Sequence, residues 1–201
     1  PMIAKQKPRG SVNKLPEYLE PSQVETLIEF AADDSRIAAN FILTMWRAGL
    51  RVSEAVALNA EDLKFSSDRP QIHVRHGKGN RERFIPAHPE LLRTLKEHLQ
   101  YTRIRGKQPV FMVERTGQRA SRVTGWQWTQ RAYAKALRAR AIAPGVVVHP
   151  HIFRHSAARH WLDQGVPINV VQLWLGHENL STTLIYLALV PDQGGVMLNV
   201  A

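Results

Sequence analysis

Between Leu63 and Pro86 the chain abandons the apolar spacing that it follows on either side. Up to Asn59, and again from Pro89, apolar residues recur every three to four positions, which lines one face of a helix. In between stand three short β-type runs (residues 63–65, 71–75 and 82–86) separated by turn-forming clusters, and they read as a small three-stranded antiparallel sheet. Helices dominate the rest. The expected class is therefore α+β, mainly helical, with one small sheet.

The helices are placed by their end signals. A first helix is expected after Pro21, with Ser22 and Glu25 as its capping box ahead of Val24, Leu27, Ile28 and Phe30. Asp34 or Ser35 caps a second over 36–48, which Gly49 stops. A short third, 52–58, carries Glu54 in its first turn, where the helix dipole favours an acid. Further helices are expected over 89–105, 125–141, 150–164, 168–175 and 181–189, with a brief strand at 110–113. Residues 5–16 read as a basic linker, which is expected to follow an upstream segment, and 191–201 as a tail.

Charge narrows the partners. The chain holds 27 Lys and Arg against 17 Asp and Glu, a formal charge of +10, which favours a polyanion, nucleic acid first and an anionic membrane second. No apolar run reaches the length of a membrane span, and no basic amphipathic helix with a Trp/Phe face is visible. Cysteine is absent, which removes disulfides and thiolate zinc sites from consideration and suits a cytosolic protein.

Several residues could carry chemistry. His151 and Arg154 stand three apart in a helical stretch and share one face, so both can point at one small anion. Arg154 lies among Ile152, Phe153, Ala157, Ala158 and Trp161, where a guanidinium needs an anion or a partner such as Glu54. Arg51 enters the third helix, and alone it reads as a surface charge. Lys78 sits between two glycines in the turn 76–80; this is not a nucleotide-binding loop, since no Ser or Thr follows the lysine. Arg75, Arg81 and Arg83 make both arms of that hairpin basic, which suits a DNA backbone. His151 and His155 have the spacing of a zinc pair without the intervening Glu, and Arg154 would repel a cation, so no metal is expected. His155 and His160 read as packing or surface histidines. Tyr186 falls off the apolar stripe of Leu180, Leu184 and Leu187, and His177 follows Leu175-Gly176.

The order of these residues resembles a known family. The segments Ala48-Gly49-Leu50-Arg51-Val52-Ser53-Glu54, Gly77-Lys78-Gly79 with Arg83 to Pro86 after it, His151-Ile152-Phe153-Arg154-His155-Ser156, Leu175-Gly176-His177-Glu178 and Ser181-Thr182-Thr183-Leu184-Ile185-Tyr186 are similar to the catalytic domain of the tyrosine recombinases, the phage integrases and their relatives. The match runs from about Leu19 to Leu189. It implies a catalytic domain over 18–190, a linker or arm over 1–17 that an upstream DNA-binding domain would precede, and a tail over 191–201 that docks on a neighbouring protomer.

The resemblance further implies that Tyr186 attacks a DNA phosphodiester to form a 3′-phosphotyrosine. Arg51 and Arg154 would clamp the phosphate, with His151 as base, Lys78 as acid, His177 on the phosphate or Tyr186, and Glu54 orienting Arg51 or His151. Arg75, Arg81, Arg83, Arg122 and Arg131 are expected to bind DNA, Arg138 less definitely. No cofactor is needed. The implied setting is cytoplasmic, bacterial or phage-encoded, on double-stranded DNA as a homo-tetramer, with accessory DNA-bending proteins as further partners. A type IB topoisomerase, a non-catalytic DNA-binding module and a metal-dependent hydrolase are the alternatives.

Overall fold

A computed structural model describes residues 17–75 and 82–177. Among the described residues there are seven α-helices and one small sheet: α1 Pro21–Ala32, α2 Arg36–Arg47, α3 Val52–Ala57, α4 Pro89–Thr102, α5 Arg122–Arg138, α6 Pro150–Asp163 and α7 Ile168–Leu175. The strands are β1 Leu63–Lys64, β2 Gln71–Val74 and β3 Arg83–Pro86, antiparallel in the order β1-β2-β3. The α+β, mainly helical fold is thus observed. Residues 110–113 form no strand; they hold the isolated bridge Met112↔Arg119 and single backbone hydrogen bonds to Leu58, Gln118 and Ala120, which do not run on into a ladder.

Helix α2 is the centre of the molecule. Every residue from Ile37 to Trp46 is buried, as befits a helix apolar on nearly all sides, and α1, α4, α5 and α6 pack around it. Phe41 at its middle meets Phe111 and Trp128 edge-on, each at a ring separation of 5.4 Å. Ser35 caps α2 by accepting a hydrogen bond from the Ala38 N–H.

Two helix starts differ from the expected ones, both for reasons of capping. Pro21 occupies the first turn of α1, so the cap moves back to Glu20, whose N–H donates to the Gln23 side chain at 2.9 Å. Helix α5 begins at Arg122 rather than 125, because Ser121 accepts from the Thr124 N–H at 3.0 Å.

The sheet decides which side chains face the core. Leu63 pairs with Ile72 and Ile72 with Ile85, and all three point inward. Successive strand residues face opposite ways, so Arg83 shares the inner face with Ile85, while Phe84 points out and stacks on His73 at 4.5 Å.

Candidate active site

Three elements meet at the inner end of this sheet, and each delivers a guanidinium. The first is the entry to α3. Arg51 is its N-cap, with backbone still extended, and Glu54 stands one turn on. The Glu54 carboxylate accepts the Arg51 N–H on Oε2 and the Arg51 Nη1 on Oε1, each at 2.9 Å. Arg51 keeps 24% of its side chain in solvent, whereas Glu54 is buried. The acid both caps the helix and steers the arginine.

Arg154 comes from α6, a helix started by Pro150. It is fully buried. Its Nη1 donates to the Gly49 carbonyl at 2.7 Å and its Nη2 to the Leu175 carbonyl, tying α6 to the loop before α3 and to the end of α7. Nη1 also stands 3.9 Å from Glu54 Oε2. Both the anion and the Glu54 readings of Arg154 bear on one place, since Arg51 shares that carboxylate.

The third guanidinium is Arg83, from β3. Its Nη1 and Nη2 donate to the two Glu54 oxygens at 3.0 and 2.8 Å, and its Nε to the Trp174 carbonyl at 2.7 Å. Burial pushes the Glu54 carboxyl up, but the hydrogen bonds and charge of Arg83, with Arg51 and Arg154, outweigh it and hold the group below the ordinary carboxylate value. Glu54 is therefore ionised. Against one carboxylate stand three guanidiniums, so these four side chains carry a formal charge of +2, a setting that attracts a further anion.

Two histidines border this cationic cluster. His177 follows Gly176 at the end of α7; desolvation, then Arg154 and Arg51, hold its pKa at about 4. His151, one turn before Arg154, opens to solvent on its outer edge. Protein packed on its inner side still makes desolvation the leading cause of its lowered pKa, followed by Arg154. Both rings are neutral at neutral pH, each with one N–H donor and one acceptor nitrogen. His155 meets His151 edge-on at 4.7 Å and is likewise held at about 4, chiefly by desolvation. Among the described residues no group of three or more His, Asp or Glu side chains is arranged to hold a metal ion. Two arginines, a proton acceptor and a neutral donor around one anion-attracting point suit phosphoryl transfer.

The model of the phage integrase family matches residues 17–192. The chain belongs to the phage integrase family. It is 35% identical over 175 residues to the tyrosine recombinase XerA of Pyrococcus furiosus, covering 86% of this chain and 57% of that protein. It is 33% identical over 183 residues to XerD of Proteus mirabilis, covering 86% and 55%. The structure of the XerH site-specific recombinase superposes with a TM-score of 0.72 at 21% identity, covering 90% of this chain and 52% of that one. This integrase-family chain thus spans little more than half the length of these relatives.

Within this phage integrase fold, the residues singled out from sequence separate into groups. Arg51, Glu54, His151, Arg154 and His177 come together around one point. Lys78, Arg81 and Tyr186 lie outside the described residues. Arg83 is a correction: it does not face outward along a basic hairpin, because strand alternation turns it inward, where only 7% of its side chain is exposed. Arg75 at the other arm is engaged by Glu61 at 2.8 Å and by Asp62, so its charge is largely spoken for.

Arg122 and Arg131 cannot share a surface, being nine positions apart, roughly half a turn round the helix. Arg122 lies with Trp126 and His149 in a groove beside His151, and Arg131 lines a different one with Asp34 and Glu114. The residue that sequence reasoning placed wrongly was Arg83, and the phase of Arg83-Phe84-Ile85 against the buried Ile72 was the signal that could have placed it.

Proposed function

We propose that this chain is the catalytic region of a site-specific DNA recombinase that cuts and rejoins DNA through a 3′-phosphotyrosine. The carrying observation is that Arg51 and Arg154, 103 positions apart in sequence, are brought to the two oxygens of one carboxylate with His151 and His177 alongside. In the proposed reaction the Tyr186 phenol oxygen forms a bond to phosphorus as the bond to the 5′-oxygen breaks. A phenol with an ordinary pKa near ~10 needs an acceptor for its proton, and neutral His151 is one. Negative charge building on the non-bridging oxygens is met by Arg51 and Arg154, and by an N–H of neutral His177. Lys78 supplies the proton that the departing 5′-oxygen takes up. The phosphotyrosine conserves the bond energy, so religation is the same sequence reversed, with no nucleotide required.

Double-stranded DNA as partner is supported by the net charge and by XerH, whose structure is of a complex with a difH substrate. Assembly as a tetramer on synapsed DNA, with residues 191–201 docking on a neighbour, follows the same reading. The test is a nicked suicide duplex incubated with the protein in EDTA. A covalent protein–DNA adduct that Tyr186→Phe removes is the expected result; no adduct, or one that survives Tyr186→Phe, overturns the reading.

A further inference from the structure

Arg83 reaches three parts of the site at once. From β3 its guanidinium meets both oxygens of Glu54 in a two-pronged pairing, while its Nε holds the Trp174 carbonyl of α7. All three nitrogens are engaged, and the side chain is enclosed. Gly176, in the left-handed conformation at φ +65°, closes over it. A Cβ there would stand 3.2 Å from the Arg83 side chain, so the turn that presents His177 is shaped around this arginine. Along the chain, Arg83 follows Lys78 by five residues.

The distances suggest what this pairing does. Glu54 has two oxygens to distribute among three guanidiniums. Arg83 takes both at 2.8–3.0 Å, Arg51 takes one at 2.9 Å, and Arg154 stays 3.9 Å away, outside hydrogen-bond range of that carboxylate. Without Arg83 the carboxylate would have a strong reason to draw Arg154 in, and a guanidinium captured by a carboxylate competes poorly for a phosphate.

We propose that Arg83 is a positioning residue of the recombinase site, occupying Glu54 so that Arg51 and Arg154 are presented to the phosphate, and is not a DNA contact. This rests on the recombinase reading above. Other charged groups also face Glu54. Arg51 comes from its own helix, and Arg154 and His151 from α6. Asp62, His73, Arg75 and Arg119 line the cavity on its other side. Of these, Arg83 contributes most to keeping Glu54 ionised, so its removal raises the Glu54 pKa.

The experiment compares the wild type with Arg83→Lys, Arg83→Met and the double variant Glu54→Gln/Arg83→Met, which leaves no unpaired buried carboxylate if the single variant folds poorly. Duplex binding is measured over a salt series, and single-turnover cleavage at saturating DNA over a pH series. The expected result is unchanged affinity and salt slope. Cleavage falls on the order of 100-fold in Arg83→Met, its acid limb moves to higher pH, and Arg83→Lys is intermediate, because an ammonium cannot bridge both oxygens. The double variant falls no further than Arg83→Met. Weaker binding with a salt slope reduced by about one, and normal cleavage at saturation, would make Arg83 a backbone contact and overturn the proposal. So would a loss of melting temperature with cleavage per folded molecule and its pH profile unchanged. If wild type itself yields no Tyr186-dependent adduct, the recombinase reading fails instead, and the two failures are told apart.

Discussion

Replacing Glu54 by Gln removes one negative charge from the midst of Arg51, Arg83 and Arg154 while keeping the shape of the side chain. The carboxylate accepts four hydrogen bonds, two on each oxygen. A carboxamide keeps one accepting oxygen and turns the other into a donor, so two of the four are lost. Hydrogen bonds to charged groups contribute about 1.5–3 kcal/mol each. Stripping one partner from a buried charge cluster costs about 3–5 kcal/mol in all, a range that overlaps the first estimate because both count the same contacts. For a domain of this size that is a fall in melting temperature of roughly 6–20 °C.

The sign with pH follows from the lowered pKa of Glu54. Its stabilisation is present above the unfolded carboxyl value of 4.5 and is lost as pH falls through the lower folded value. The gap between wild type and Glu54→Gln, read from urea denaturation, is therefore widest near neutrality and narrows in acid. A variant as stable as wild type at pH 7, or a gap of constant size down the pH scale, would refute the reasoning.

Gly125→Ala puts a Cβ 2.6 Å from the ring of the fully buried Phe41, and overpacking there is expected to cost about 1–3 kcal/mol in a urea melt; an unchanged midpoint would contradict the packing described. His155 and His177, both held at about 4, bind protons more readily when unfolded, so stability is expected to rise with pH between 4 and 6.5; His155→Phe, which cannot titrate, should show a shallower rise by denaturation at pH 5 and 7. Arg122→Ala, beside His151, is expected to weaken DNA binding and lower its salt slope by about one, while Arg131→Ala, across the helix, changes the slope less; equal slopes in a binding titration would show that both reach DNA.

Much of this arrangement was legible in the sequence because it follows from local rules. The 36–48 spacing marks a helix, Asp34 or Ser35 its cap, of which the structure uses Ser35, and the step between residues 59 and 89 a small sheet. His151 and Arg154 share a face for the same local reason. What local rules do not carry is the phase of a strand. Arg83-Phe84-Ile85 offers a bulky apolar residue on each side of the sheet, and only pairing with Ile72 decides that Ile85 goes in with the arginine and Phe84 goes out. The role of Glu54 was half visible. Its place in the first turn marked it as an acid the helix dipole favours, and a pairing with Arg154 was one reading, but its contact with Arg83 depends on β3 arriving from far along the chain. The start of α5 differs for a local reason: Ser121 and Thr124 cap each other, which begins the helix at Arg122, ahead of Gly125.

The central claim is that Arg51 and Arg154 act on the charge of a single phosphate, and a duplex with a neutral methylphosphonate at the scissile position tests it directly. If the guanidiniums offset charge on the non-bridging oxygens, Arg51→Ala cleaves poorly at a phosphodiester and recovers much of the deficit, at least about ten-fold, at the methylphosphonate. An Arg51→Ala defect of the same size on both substrates would mean that the cluster does not neutralise the reacting phosphate, and the account given of this site would be wrong.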